Sequence, residues 1–284
     1  MSVVAVDQAS VWLGDGFLSE LMLAYARRFP RHRGKIRIFN MLAQHCFRNG
    51  LPFKNQDGVR ILANPLDVIG HVISFYGSYE PLSLALARRL MSGGGTFVDI
   101  GANIGLYTCS IAAIPNVKCV AFDACARAFS KLLENLRRNP GMSVTAVNVA
   151  LGRKQTILQI ERVAGDLGST RVSTLSPQPG SSHFISALPL DEVMKQLSIG
   201  QISLLKIDVE GYEFEVFRGM NFNSAYRPKN IIMEYTERVA KNTDVLKGSF
   251  ELLCNQRYEP LTVTGEKYNP SVALPEENLW WRSL

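Results

Sequence analysis

The sequence predicts an α/β fold in which the strands of a mainly parallel sheet alternate with helices. From about residue 96 onward, short apolar runs of strand length alternate with longer segments whose apolar residues have helical spacing. A glycine turn follows the first of these runs, and acidic residues follow several of them. Because the carboxyl ends of parallel strands meet at one edge of a sheet, this pattern predicts a ligand site at that edge.

The predicted elements of the sheet follow one another without internal repeats. Five parallel strands are predicted at 96–100, 117–122, 143–149, 203–208 and 230–234, with helices at 104–113 and 126–139 and another from Leu190. The tail supplies a helix at 244–256, a strand at 258–264 and a last, antiparallel strand at 278–282. Seven strands are therefore expected in the main sheet, and two extra strands are expected at 155–162 and 184–189.

The part of the chain before the sheet is predicted to form a small cap. It contains an amphipathic helix at 17–29, a strand at 59–63, a segment at 67–75 that could be a helix or a strand, and a helix at 82–91. The glycines that follow the last helix mark a border, so residues 1–92 are assigned to the N-terminal cap and residues 93–284 to the domain that contains the sheet.

Composition places few limits on function. The chain has 284 residues, of which 46% are hydrophobic, and this is enough for a sizeable core. Five scattered cysteines show no C-x-x-C spacing, so no metal site of the cysteine type is predicted and reduced thiols in a cytoplasmic protein are expected. No signal peptide and no transmembrane segment are predicted.

The densest basic cluster lies between Arg27 and Arg37. This cluster could bind a nucleic acid, a membrane surface or an acidic carrier protein, and the formal net charge of the whole chain, +6, permits such an anionic partner. It could equally be a solvated surface, because no aromatic side chains alternate with the basic ones as single-strand binding requires. The sequence also leaves open whether the protein forms a homodimer.

The turn after the first strand indicates the kind of ligand. Gly101 and Gly105 flank Ala102 and Asn103, which departs from the G-x-G-x-x-G pattern of dinucleotide sites. Asp99 would repel a pyrophosphate but suits a ligand that carries an ammonium group. About twenty residues further on, Asp123 follows the second strand, where a carboxylate can accept both ribose hydroxyls. Together these residues favour S-adenosylmethionine over NAD, and a nicotinamide dehydrogenase ranks last.

Four successive motifs resemble those of one known family. VDIGANIGLYT, AFDACARAFSKLLENLRRN, LLKIDVEGYEFEVFRGM and NIIMEY are similar to the motifs of the FkbM family of S-adenosylmethionine-dependent methyltransferases, over about residues 58–235. The family usually has Glu-Pro after the second strand, whereas this chain has Asp123-Ala124. The resemblance implies a seven-stranded, Rossmann-like class I methyltransferase sandwich behind the N-terminal cap.

The resemblance and the turn together give a predicted cofactor site. Tyr79 and Glu80 are implied to line it, although they could simply form a turn before a helix, and Asn148 and Ala150 are implied to lie near the adenine. The full predicted set is Tyr79, Glu80, Asp99, Gly101, Ala102, Asn103, Gly105, Tyr107, Asp123, Asn148, Ala150 and Asp208.

The predicted catalytic residues are Asp208, Glu210, Glu234 and His183. Asp208 and Glu210 follow the fourth strand, Glu234 ends the fifth, and His183 ends an irregular segment at 164–183 that is expected to be an active-site lid. Alternation along the strand also allows Asp208 to form an ion pair with Lys206. Asp208 and Glu234 could share a general-base role or hold a cation, and we expect that no metal is bound.

The expected reaction is methyl transfer from S-adenosylmethionine to a hydroxyl oxygen of a small molecule or sugar. The preference for oxygen over nitrogen comes from the resemblance. Two alternatives stay open: a nucleic-acid methyltransferase that uses the basic N-terminal cluster, and a non-catalytic binding protein with the same fold.

Overall fold

The computed structural model describes residues 10–162, 170–172, 183–235 and 244–284. The elements are, in chain order, β1 (Leu13–Gly14), α1 (Phe17–Arg28), α2 (Lys35–Cys46), β2 (Leu51–Lys54), β3 (Arg60–Ala63), α3 (Val68–Tyr76), α4 (Pro81–Met91), β4 (Gly95–Ile100), α5 (Leu106–Ala112), β5 (Val117–Phe122), α6 (Ala126–Arg137), β6 (Val144–Val147), β7 (Ala150–Leu151), β8 (Thr156–Arg162), β9 (Thr170–Val172), β10 (His183–Leu188), α7 (Leu190–Gln196), β11 (Ile202–Ile207), α8 (Glu213–Arg218), β12 (Asn230–Glu234), α9 (Asp244–Asn255), β13 (Tyr258–Thr262) and β14 (Asn278–Ser283).

The central sheet has seven strands in the order β13-β14-β12-β11-β4-β5-β6. The five strands from β12 to β6 are mutually parallel, and β14 runs antiparallel to both of its neighbours. In β4 every residue after the first is buried, as expected for a central strand covered on both faces. The predicted seven-stranded α/β fold and its antiparallel last strand are therefore confirmed.

Two predicted bounds near the cofactor turn needed correction. The predicted strand 143–149 ends at Val147, and Ala150 and Leu151 belong to β7, which pairs with β10 in a separate four-stranded sheet. The helix predicted from residue 104 begins at Leu106, because Gly105 has a φ of 84° and cannot continue a right-handed helix backwards.

The four-stranded sheet has the order β7-β10-β8-β9. It confirms the extra strands predicted at 155–162 and 184–189, which pair antiparallel with each other. Most of the predicted lid at 164–183, namely residues 164–169 and 173–182, lies outside the described part of the chain.

The N-terminal part combines a three-stranded antiparallel sheet, β1-β2-β3, with helices α1 to α3. The ambiguous segment at 67–75 is a helix. The sequence reasoning missed α2, β1 and β2. Trp12, Phe39 and Phe53 share one buried cluster with Phe97 of β4 and Cys109 of α5, so the cap and one face of the central sheet have a continuous core. The border at residue 92 stays a prediction.

None of the helices in the described ranges has both the length and the hydropathy that a membrane span requires.

Candidate cofactor and active site

The turn between β4 and α5 is held close to the neighbouring strands. The backbone N–H groups of Gly101 and Ala102 both donate to the carbonyl oxygen of Phe122, at 2.9 Å each. Gly101 has a φ of 83°, and a Cβ at this position would collide with the backbone carbonyl oxygen of Asp208. Glycine is therefore required here for both conformation and space. The turn brings the ends of β4, β5 and β11 into one site.

Asp99 is a buried carboxylate in the floor of this site. It is 1% exposed, and its Oδ2 accepts a hydrogen bond of 2.5 Å from the hydroxyl of Thr108. Its Oδ1 is buried and has no hydrogen-bond partner among the described residues. Burial raises the pKa of Asp99, and this effect is opposed by the nearby ammonium of Lys206. A ligand cation would supply what this oxygen lacks.

Asp123 connects the turn to the end of β5. Its Oδ2 accepts the backbone N–H of Asn103 at 2.7 Å, and its Oδ1 accepts that of Cys125 at 2.8 Å. Burial raises the pKa of Asp123 to about 7, although both hydrogen bonds act in the opposite direction. The side-chain amide of Asn148 donates to the Asp123 carbonyl oxygen at 2.7 Å, which fixes the backbone of this loop. Each carboxylate oxygen keeps acceptor capacity for a hydroxyl.

Lys206 supplies the positive charge of the site. Its ammonium lies 3.1 Å from Oδ2 of Asp208, so the ion pair predicted from strand alternation is formed. It also lies 4.7 Å from the centre of the Tyr107 ring, and the Tyr107 hydroxyl donates to Glu80 at 2.7 Å. Burial lowers the pKa of Lys206, but Asp208, Glu80 and Asp99 together raise it more. Lys206 is therefore a permanent cation.

The loop after β11 is shaped by Glu213 at the start of α8. One carboxylate oxygen of Glu213 accepts the backbone N–H groups of Val209 and Gly211 at 3.0 and 3.2 Å. Between them, Glu210 has a φ of 54°. Glu213 is 2% exposed and is not among the residues that line the cavity described next, so it positions the loop that presents Glu210.

A cavity of about 480 Å³ lies at this edge of the sheet, within the size range of small-molecule sites. The predicted site residues that line it are Tyr79, Asp99, Gly101, Ala102, Asn103, Tyr107, Asp123, Ala150, Asp208, Glu210 and Glu234. Three others support it from behind: Glu80 and Asn148 through their hydrogen bonds to Tyr107 and Asp123, and Gly105 as the residue before α5. His183 is exposed at the first position of β10 and does not line the cavity.

Several lining residues were not predicted. Asn64, Asp67 and Gly70 come from α3 and the turn before it, and Tyr212 and Glu277 come from distant parts of the chain. The neighbouring Glu276 accepts the backbone N–H groups of Leu82 and Ser83 at 2.7 and 2.8 Å. Asp67 had a local signal, since it precedes a helix after Asn-Pro, but nothing in the sequence connects it to the cavity.

The charge of the cavity is strongly unbalanced. Its lining carries seven carboxylates, Asp67, Asp99, Asp123, Asp208, Glu210, Glu234 and Glu277, whereas Lys206 is the one basic side chain among the described residues that line it. Glu234 shows the consequence: burial and the charges of Asp208 and Glu210 raise its pKa to about 9. Such a cavity attracts cationic ligands and repels phosphates.

Among the described residues, no group of three or more His, Cys, Asp or Glu side chains is arranged as a metal site.

The fold and this site define a family. The methyltransferase FkbM domain model matches residues 99–259, which is more than half of the chain, so the chain belongs to the FkbM methyltransferase family. The predicted cofactor, S-adenosylmethionine, is confirmed by this membership. The residues present fit it, because the orphaned Oδ1 of Asp99 and the carboxylate of Asp123 suit an ammonium group and ribose hydroxyls, and no phosphate is needed.

Two curated relatives are similar over part of the chain. The hexuronic acid methyltransferase AglP of Haloferax volcanii is 29% identical over 122 residues, which is 43% of this chain and 48% of that protein. The methyltransferase sdnD of Sordaria araneosa is 27% identical over 173 residues, covering 49% of this chain and 66% of that protein. The chain thus spans about half to two thirds of the length of these relatives.

Among solved structures, the O-methyltransferase from Bacillus cereus in complex with SAH matches with a TM-score of 0.43 and 12% identity, covering 72% of this chain and 80% of that one.

Proposed function

We propose that this protein transfers the methyl group of S-adenosylmethionine to a hydroxyl oxygen of a small molecule or sugar. The observation that carries the proposal is the acidic cavity, in which Asp208, Glu210 and Glu234 lie beside the turn that would hold the cofactor. The sulfonium of S-adenosylmethionine supplies an electrophilic methyl group, and carboxylates beside it can accept the proton that a hydroxyl loses. The name of the Haloferax relative supports a sugar as the acceptor.

The three carboxylates differ in the roles that they can take. With a pKa raised to about 9, Glu234 is protonated near neutral pH and can donate a hydrogen bond to an acceptor oxygen. Asp208 is paired with the ammonium of Lys206 at 3.1 Å and lines the cavity, so its carboxylate is placed to accept a hydrogen bond from an incoming hydroxyl. His183 stays a predicted base, but its exposed position outside the cavity lining favours Asp208 or Glu210.

The charge of the cavity also bears on the class of acceptor. Glu210 and Glu277 are exposed at the cavity, so an incoming molecule meets negative charge first. A hexuronic acid would bring a further carboxylate to these groups, and like charges at close range destabilise binding. We therefore propose a neutral or amino sugar, or a similar uncharged polyol, rather than an acidic sugar.

The test is transfer of a labelled methyl group from S-adenosylmethionine to neutral sugars, amino sugars and hexuronic acids offered separately. The proposal expects label on a neutral or amino sugar, in a linkage that survives mild base as an ether does and an ester does not. Transfer to hexuronic acid alone would contradict the proposed charge selectivity. Binding of the cofactor without transfer to any acceptor would instead support the non-catalytic alternative.

For the nucleic-acid alternative, fewer basic side chains of the 27–37 cluster are free to contact phosphates than the sequence indicated. The guanidinium of Arg27 donates to the carbonyl oxygens of Trp12, Ile73 and Ser74, and the ammonium of Lys35 donates to that of Phe29. Two of the six basic side chains in the 27–37 cluster are thus used inside the protein. Label appearing on RNA but on no sugar, with steep dependence on salt, would favour that alternative.

A further inference from the structure

Helices α1 and α2 expose an unusual amount of apolar surface. More than half of the large apolar side chains that are exposed in the described part of the chain lie between Leu13 and Leu42. We define the α1–α2 surface by its six most regular members: Phe17, Leu18 and Leu21 of α1, which are 75%, 63% and 52% exposed, and Ile38, Met41 and Leu42 of α2, which are 40%, 52% and 37% exposed.

The spacing of these residues shows that they form faces of the two helices and are not scattered. Positions 17, 18 and 21 share one side of α1, and positions 38, 41 and 42 share one side of α2, because residues three and four apart are neighbours on a helix. Other positions of each helix are buried, including Met22 and Ala26 in α1 and Phe39 and Ala43 in α2. Each helix therefore has apolar residues at both its buried and its exposed positions.

The same segment is basic. Arg28, Arg31, Arg33 and Arg37 are exposed, whereas residues 10–50 contain two acidic residues, Asp15 and Glu20, and Asp15 is in an ion pair with Arg60. The arginines lie at the end of α1, in the connection between the helices and in the first turn of α2. Apolar faces and exposed arginines thus occur within one stretch of 26 residues, from Phe17 to Leu42.

We propose that the α1–α2 surface docks on an anionic lipid bilayer, with the apolar side chains inserted at the interface and the arginines at the headgroups. This combination is the one that interfacial helices use. A second copy of the chain fits less well, because a symmetric interface would place the arginines of both copies against each other. A nucleic acid would leave the aliphatic side chains without an apolar partner.

The test is flotation of the intact protein with vesicles of phosphatidylcholine and phosphatidylglycerol, and with vesicles of phosphatidylcholine alone. Binding is expected to the mixed vesicles and to weaken in high salt. Since one arginine near an anionic surface contributes about 1 kcal/mol, the double variant Arg31→Gln/Arg33→Gln should lower the affinity about 30-fold. Phe17→Ser/Leu21→Ser should lower it at least about tenfold through lost apolar insertion.

Matched controls separate this role from general effects on charge and hydropathy. Arg137→Gln/Lys247→Gln removes two exposed positive charges elsewhere, and Ile157→Ser/Val272→Ser removes two apolar side chains that are 70% and 59% exposed. Neither control should change vesicle binding, and all four variants should keep the cofactor affinity. Absence of vesicle binding, or equal losses in test and control variants, would overturn the proposal. So would a dimer in solution that dissociates in Phe17→Ser/Leu21→Ser.

Discussion

The cavity at the edge of the central sheet and the α1–α2 surface are opposite in almost every respect. Among the described residues that line it, the cavity combines seven carboxylates with a single lysine, and its floor is buried. The α1–α2 surface is apolar, exposed and flanked by four arginines. The formal net charge of the whole chain, +6, sums over both regions and does not show the charge of either one. For this protein, the local distribution of charge therefore says more about ligands than the net charge does.

Lys206 lines the cavity and Arg27 lies on α1, and because each cation has partners inside the protein, the largest expected effects come from removing them. Lys206 faces carboxylates, whereas Arg27 donates to three backbone carbonyl oxygens. Lys206→Met should lower the free energy of unfolding by about 3–5 kcal/mol, because it leaves buried carboxylates uncompensated. Arg27→Met should cost about 1–3 kcal/mol, since it leaves neutral acceptors unsatisfied. Urea unfolding measures both changes in the free energy of unfolding. Equal losses in the two variants would contradict the difference that we infer between the two regions.

Two glycines sharpen the comparison through backbone geometry. Gly101 at the cavity and Gly34 before α2 have φ values of 83° and 90°, but a Cβ would collide only at Gly101 and would meet open space at Gly34. Gly34→Ala should cost about 1 kcal/mol from conformational strain alone. Gly101→Ala should cost about 3 kcal/mol or more and abolish cofactor binding. A Gly101→Ala variant as stable as Gly34→Ala would show that the close approach to Asp208 is not needed.

Two acidic residues separate binding from stability. Asp99→Asn should weaken the binding of S-adenosylhomocysteine about ten- to a hundredfold, as expected for the loss of a charge-assisted hydrogen bond. It should leave the free energy of unfolding unchanged or higher, because burial already disfavours the charge of Asp99. The exposed Glu20→Gln is the control and should change neither quantity. Calorimetry measures the binding affinity and urea unfolding measures the stability. An Asp99→Asn variant that is destabilised but binds S-adenosylhomocysteine with full affinity would contradict the role of Asp99 in cofactor binding.

The remaining expected effect concerns pH and comes from the cavity alone. Asp123 and Glu234 have pKa values raised to about 7 and about 9, so the folded protein binds more protons than the unfolded chain above the usual carboxyl range. Stability without ligand should therefore fall as the pH rises from about 5 to about 7, by up to about 1.4 kcal/mol per pH unit for each group. Asp123→Asn should flatten this slope, while Glu20→Gln should not. A slope of the opposite sign would contradict the burial of these carboxylates.

How well sequence reasoning worked differs between the two regions for a physical reason. The strands of the central sheet are buried on both faces, so they appear as continuous apolar runs, and the turn needs glycine and places Asp99 beside it. These are local constraints and they can be read from neighbouring residues. The Lys206–Asp208 ion pair was also predictable, because alternation places both side chains on one face of the strand.

Other features depend on contacts between distant parts of the chain. Glu276 caps α4 although 193 or more residues separate it from Leu82 and Ser83. The role of Arg27 inside the protein was hidden in a cluster that looked uniformly solvated. Helix α2 was missed because its outer side is also apolar, which blurs the amphipathic pattern that identifies a helix packed on one side.

The central claim is that the acidic cavity binds S-adenosylmethionine and not a phosphate-bearing cofactor. Calorimetric titration of the intact protein with S-adenosylhomocysteine and, separately, with NAD tests it most directly. The account predicts micromolar binding of S-adenosylhomocysteine, weakened in both Asp99→Asn and Asp123→Asn, and no binding of NAD. Binding of NAD with similar affinity, or S-adenosylhomocysteine binding that neither substitution changes, would contradict the account.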